Sequence, residues 1–243
     1  LRKGCYDVHA RIADMNANGV LGSICFPSFP GFVGQLWSSC EDKTLARVML
    51  QAYNDWHIDE WAGSYPDRFI PLSMPAIWDP KVMAEEVRRV AKKGCRAVSF
   101  TENPDKLRLP SIHSAHWEPF WQACVDEGMT ILIHIGSGGG MVFPTMDSPV
   151  EVMITTTPIS IVNLAADLLF STLLRKYPTL KFALSEGGIG WIPYFMERAD
   201  FSHQQHHAWT HSNKYMGIMK PSDVFKRHFL NCFIDDKFGM HNV

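Results

Sequence analysis

Four apolar runs in this chain of 243 residues end on side chains able to hold a metal or move a proton. His134 closes MTILIH and leads through Ile135 into Gly136-Ser137-Gly138-Gly139-Gly140. An imidazole beside glycines, which leave room for a ligand, can coordinate a metal; its alternative is a core histidine bonded to a backbone carbonyl. Glu186 ends LKFALSE, ahead of Gly187-Gly188. A carboxylate there can bind a divalent metal, act as a general base or orient a metal-bound water; otherwise it pairs structurally with an arginine such as Arg198. Asp235 and Asp236 follow the last run, where Asp serves either as ligand and proton donor or as a helix N-cap. Glu102, followed by Asn103, ends the run CRAVSFTE and is a candidate substrate contact. Trp191 offers an aromatic face to a substrate, with core packing as its other use.

Other groups point less sharply. His203, His207 and His211 recur every four residues, a spacing that on a helix can bind zinc, but the segment is polar and reads first as a solvated face. His113 and His116 sit in a segment suited to a loop or helix start. Neither Ser137 nor Ser185 lies in G-x-S-x-G, and neither a G-x-G-x-x-G nor a P-loop opens any helix. Cys25 and Cys232 fall inside apolar runs, where Cys behaves as a small buried hydrophobe.

Positioning these groups requires elements of a definite kind. Strand-like runs cover Val20–Pro27, Phe69–Ala76, Cys95–Glu102, Met129–Ile135, Leu180–Glu186 and Phe229–Asp235. Helical patterns cover Lys43–Ala62, Pro80–Lys93, His116–Glu127, Ile159–Tyr177 and Trp191–Asp200. Near-continuous apolar strands alternating with helices predict a parallel α/β sheet with right-handed crossovers. Ionisable residues at strand ends favour a (β/α)8 barrel over an open sheet, because barrels gather their chemistry there. Residues 1–243 read as one barrel domain. A net charge of −2 gives no electrostatic footprint for nucleic acid, and no membrane-spanning run is apparent. Six cysteines without a C-x-x-C pair suggest a reducing, cytoplasmic setting. The expected partner is a small molecule, and the expected assembly a homodimer.

Several strings carry a family resemblance: Tyr53-Asn54-Asp55-Trp56, Tyr65-Pro66-Asp67-Arg68-Phe69, the strand with His134, and KFALSEGGIGWIPYFMER from Lys181 to Arg198. From about Arg11 to Asp236 the chain resembles the second amidohydrolase family, metal-dependent barrel enzymes such as aminocarboxymuconate-semialdehyde decarboxylase and γ-resorcylate decarboxylase. The resemblance implies a (β/α)8 barrel with one divalent metal, zinc first and manganese second. His134 matches the family's fifth-strand metal ligand. Glu186 stands where the family commonly has a sixth-strand His, so a catalytic role there departs from the family pattern. The first-strand H-x-H or E-x-H and the D-x-P-H of the eighth strand do not occur in this sequence, so strands 1 and 8 are expected to be missing and the chain to be an internal piece of a longer one. The implied activity is hydrolysis or decarboxylation of a small carboxylated or aromatic compound, with Glu186 and Asp235 as catalytic candidates and His134 on the metal. The alternative is a barrel that binds a ligand without turnover.

Overall fold

The computed structural model describes residues 1–140, 144–217 and 219–242. Five parallel strands pair in chain order: β1 (Leu72–Ser73), β2 (Ala97–Phe100), β3 (Thr130–His134), β4 (Lys181–Ser185) and β5 (Phe229–Asn231). The expected run Val20–Pro27 forms no full strand. It reaches β1's side of the sheet only through a parallel bridge between Ser23 and Phe69. Arg68 holds that segment, donating from Nε to the Leu21 carbonyl (2.7 Å) and from Nη2 to that of Val20 (2.9 Å).

The α-helices longer than one turn are α1 (Val8–Ala17), α2 (Lys43–Asp55), α3 (Pro80–Ala91), α4 (Glu118–Asp126), α5 (Val150–Thr156), α6 (Ile159–Leu169), α7 (Ile192–Thr210), α8 (Pro221–His228) and α9 (Lys237–Asn242). Aspartates start three of them by accepting free backbone N–H groups: Asp7 from Ala10, Asp42 from Thr44 and Leu45, and Asp79 from Lys81 and Val82. Helix α2 runs on into a π-helical segment, Trp56–Ala62, so the expected Lys43–Ala62 helix forms with a change of winding. Gly94 and Gly128 follow α3 and α4 with φ of 88° and 62°, the left-handed ending a helix stop favours.

Successive residues of each strand face opposite ways. Val98, Phe100, Ile131, Ile133, Phe182 and Leu184 point outward and join the main core beneath the helices. Leu72, Ala97 and Leu132 point inward and form a small separate cluster with Phe26 and Ala183. The sequential parallel order and the two-layer packing are those of part of a (β/α)8 barrel, as the strand pattern predicts.

The expected lack of a membrane-spanning run needs correction. By length and composition alone, Val150–Leu169 is long and apolar enough to cross a membrane. It comprises α5 and α6, joined at Thr157-Pro158, and α6 packs Ile161, Leu164, Ala165 and Leu168 into the main core.

A buried polar network links helix to sheet. Asn54 donates to the Met74 carbonyl (3.1 Å) and to Glu86 (2.8 Å), and Arg89 grips Glu86 with two bonds of 2.7–2.8 Å. Burial alone would raise the Glu86 carboxyl, but the Arg89 guanidinium and the Asn54 and Gln51 amides, the latter donating at 3.1 Å, hold it below the usual carboxylate range. Nearby, His57 is buried and stacked on Tyr53. Burial pushes its pKa down to about 4. The unfolded chain therefore takes up a proton near the ordinary pKa of 6.5 that the folded chain refuses, so stability is lost as pH falls from about 6.5 toward about 4. Between ~pH 7.5 and ~pH 5 the loss is about 2 kcal/mol. Urea unfolding at the two pH values should show this drop reduced by that amount in His57→Gln; equal drops in both proteins would refute it.

Candidate functional site

Parallel pairing sets His134 of β3 directly opposite Ser185 of β4. The side chain of His134 is 12% exposed. Phe32 stacks on its ring at 4.1 Å and Phe26 meets it edge-on at 5.0 Å, which fixes the plane of the imidazole. Its Nδ1 lies 2.7 Å from the Ile135 carbonyl oxygen. A carbonyl only accepts, so Nδ1 carries the proton and Nε2 is directed elsewhere. Nε2 faces Glu186 Oε2 at 3.3 Å.

Glu186 reaches that position by a backbone reversal. In a regular strand it would follow Phe182 and Leu184 to the helix side, the face away from His134. Instead its φ is 62°, left-handed and unfavourable for a residue with a side chain. The turn brings the carboxylate back over the inner face, where it is 42% exposed. Its own N–H donates to Cys232 Sγ (3.0 Å) at the end of β5. The apolar run around Cys232 predicts a buried hydrophobe; the residue is instead exposed, and its sulfur anchors this turn.

These groups open on a cavity of about 560 Å³ on the inner face. Leu132 and Ala183 form its floor, Ser23 and Ile24 one wall, and Leu230 and Cys232 the other.

The remaining sequence candidates lie elsewhere. Glu102 lines a different, larger cavity outside the strands. Trp191 is partly buried: its Nε1 donates to the Gly187 and Gly188 carbonyls (both 3.0 Å) and its rings lie edge-on to Phe195 and Phe225. Of the two aspartates after β5, Asp236 makes the contacts. It accepts from Ile189 (2.7 Å), Gly190 (2.6 Å) and Gly239 (2.7 Å), capping α9, and these amides hold its carboxyl below the usual range. Asp235 is exposed and enters no hydrogen bond among the described residues. His203 of α7 is tied to Ser212 (2.7 Å). Sequence reading missed Phe26, Phe32 and Cys232, although the F-P-S-F-P-G-F run was a visible signal.

A family model described as amidohydrolase matches residues 9–233. The chain belongs to the amidohydrolase family. Among solved structures, a 5-carboxyvanillate decarboxylase from Sphingomonas paucimobilis superposes with a TM-score of 0.69 at 22% identity, covering 91% of this chain and 63% of its own. An amidohydrolase from Mycobacterium avium subsp. paratuberculosis K-10 gives 0.71 at 18% identity, covering 96% and 61%. A dihydroxybenzoic acid decarboxylase from Polaromonas sp. JS666, solved with manganese and 2-nitroresorcinol, gives 0.65 at 23%, covering 92% and 66%. This amidohydrolase chain thus spans less than two thirds of the length of each. At such identities the likeness is one of fold, and it agrees with the parallel strand order.

The metal seen in the Polaromonas structure can be tested against the donors here. For metal bonds of about 2.1 Å, two ligands in one coordination sphere lie roughly 3.0–3.4 Å apart. The 3.3 Å between His134 Nε2 and Glu186 Oε2 fits that edge. Among the described residues, however, no third His, Cys, Asp or Glu completes a group able to hold an ion. Metal sites of this type need three or four protein ligands. Residues 1–243 dialysed against zinc or manganese should therefore retain well under one ion per chain by elemental analysis. One tightly held ion would show that the donor set is complete without further ligands.

Proposed function

We propose that this chain forms the His134–Glu186 side of a metal-dependent active site that decarboxylates a small aromatic carboxylic acid. The observation carrying this reading is the oriented pair itself. His134 has Nδ1 committed to a carbonyl and Nε2 turned onto a carboxylate across a cavity large enough for a single aromatic ring. Two acceptors do not face each other at 3.3 Å unless a proton or a cation lies with them. A bound divalent ion supplies Lewis-acid polarisation of a substrate carboxylate and its neighbouring oxygen. His134 and Glu186 are the residues that would hold it, and imidazole with carboxylate suits manganese as well as zinc. Manganese accompanies the inhibitor in the Polaromonas decarboxylase.

The chain's own groups account for the rest. Phe32 and Phe26 hold the imidazole rigid and keep water from its faces. With Oε2 turned toward His134, the other oxygen of the Glu186 carboxylate would hold a proton and deliver it to the ring carbon that loses CO2. The exposed apolar residues Ile70 on one side of the cavity and Leu230 on the other support a further proposal, that strands from a longer chain close the barrel there and bring the missing donors.

Hydrolysis is the second reading, favoured by the solvent exposure of Glu186, which lets the carboxylate accept a proton from water. Release of CO2 from a panel of ortho-hydroxybenzoates by the manganese-loaded, full-length protein separates the two. Glu186→Gln should lower kcat by about 10²–10⁴-fold with the fold intact. CO2 release that survives this substitution undiminished would remove Glu186 from the chemistry, and hydrolytic products without CO2 would favour the second reading.

A further inference from the structure

The larger cavity, about 1130 Å³, is lined by neither His134 nor Glu186. It lies between the loop after β2, the glycine run after β3, and helices α5 and α6. Its innermost polar group is the carboxylate of Glu102, a residue only 8% exposed. One carboxylate oxygen accepts the Gly138 N–H (3.3 Å) and the other the Ser160 hydroxyl. The Glu102 backbone is also fixed, its N–H donating to Ser137 Oγ (2.9 Å). Two neutral donors leave about half of a carboxylate's roughly four acceptor positions free. Among the described residues no Lys, Arg or His nitrogen pairs with it. A buried carboxylate is ordinarily paired with a cation, because burial strips its hydration.

The rest of the lining says what kind of cation fits. Met153, Leu164 and Phe170 provide an apolar wall, while Asn103 and Asn163 add neutral polar groups. At the exposed end His113 Nε2 meets Asp167 Oδ1 at 2.8 Å, so one of the two acids already has its own partner. Lys106, an exposed residue, also lines the cavity but makes no ion pair with Glu102 among the described residues. We propose that this cavity is a second binding site, which takes a small organic ammonium with an apolar body. The ammonium lies on the free lone pairs of Glu102, and the body rests against Met153, Leu164 and Phe170.

The proposal is independent of any metal or turnover, so it is tested by binding alone. Titration of residues 1–243 with 2-phenylethylammonium, followed by calorimetry, should show saturable binding at one site per chain. The anion 3-phenylpropionate, which carries the same phenylethyl body, should bind at least tenfold more weakly. Glu102→Gln keeps the shape and removes the charge, and should raise Kd by about 10- to 100-fold. Gly138→Ala is a second variant: a Cβ there meets Asn103 and the Glu102 oxygen that accepts the Gly138 N–H at 3.6 Å, ordinary contact, and would narrow the approach to the carboxylate. It too should weaken binding while leaving the fold intact. No saturable binding by the unmodified chain, equal affinity for the anion, or binding unchanged by Gly138→Ala would each overturn the proposal.

Discussion

Parallel register is the constraint on which the candidate site rests. Because β3 and β4 pair residue for residue, His134 stands beside Ser185, and side chains of paired residues share a face. Alternation then sends the next residue, Glu186, toward the helices. Only the left-handed turn at Glu186 defeats that alternation, and it is the feature that converts two strand ends into a pair of facing groups. Such a backbone costs on the order of 1–3 kcal/mol and persists where its surroundings hold it. Here the holding contacts are its N–H on Cys232 and its side chain against His134.

The same alternation explains why the strand-end acids part company. Glu102 has the parity of Val98 and Phe100 and keeps it, so its carboxylate enters the helix-side cavity rather than the inner one. Residue parity along β2 is therefore enough to separate Glu102 from His134. Parity along β4 misplaces Glu186, because nothing in its residue type announces a left-handed backbone. The Gly187-Gly188 that follows is consistent with a turn, but it does not say at which residue the chain reverses.

Much of the architecture was legible because it rests on burial periodicity. The runs that became β2, β3 and β4 pack on the outside against helices and on the inside against one another, so they are apolar almost throughout. The first run failed as a strand for a local reason: only Ser23 makes ladder contacts, through the Arg68 carbonyl and Ile70 N–H, before the prolines at 27 and 30. Two family strings proved to be structural. Arg68 of the Y-P-D-R-F string clamps the Val20–Leu21 backbone, and Asn54 of Y-N-D-W joins β1's end to Glu86. Neither task could be read from spacing, since each partner lies 20 to 48 residues away.

Electrostatics at His134 follow from how far the inner face is sheltered. On one side the imidazole is enclosed by Phe26 and Phe32, where little solvent screens its interactions. On the Glu186 side the carboxylate is 42% exposed, and Leu230, behind Cys232, is 57% exposed. A charge pair with one partner in water is worth little, whereas the same pair in a closed, dry barrel interacts several-fold more strongly. The orientation of His134 is thus set within these 243 residues, while its strength as a ligand depends on whatever covers the open inner face. On the proposed reading, the strands that would supply further donors are the ones that would also exclude the water, so metal affinity and catalytic power would appear together rather than by degrees.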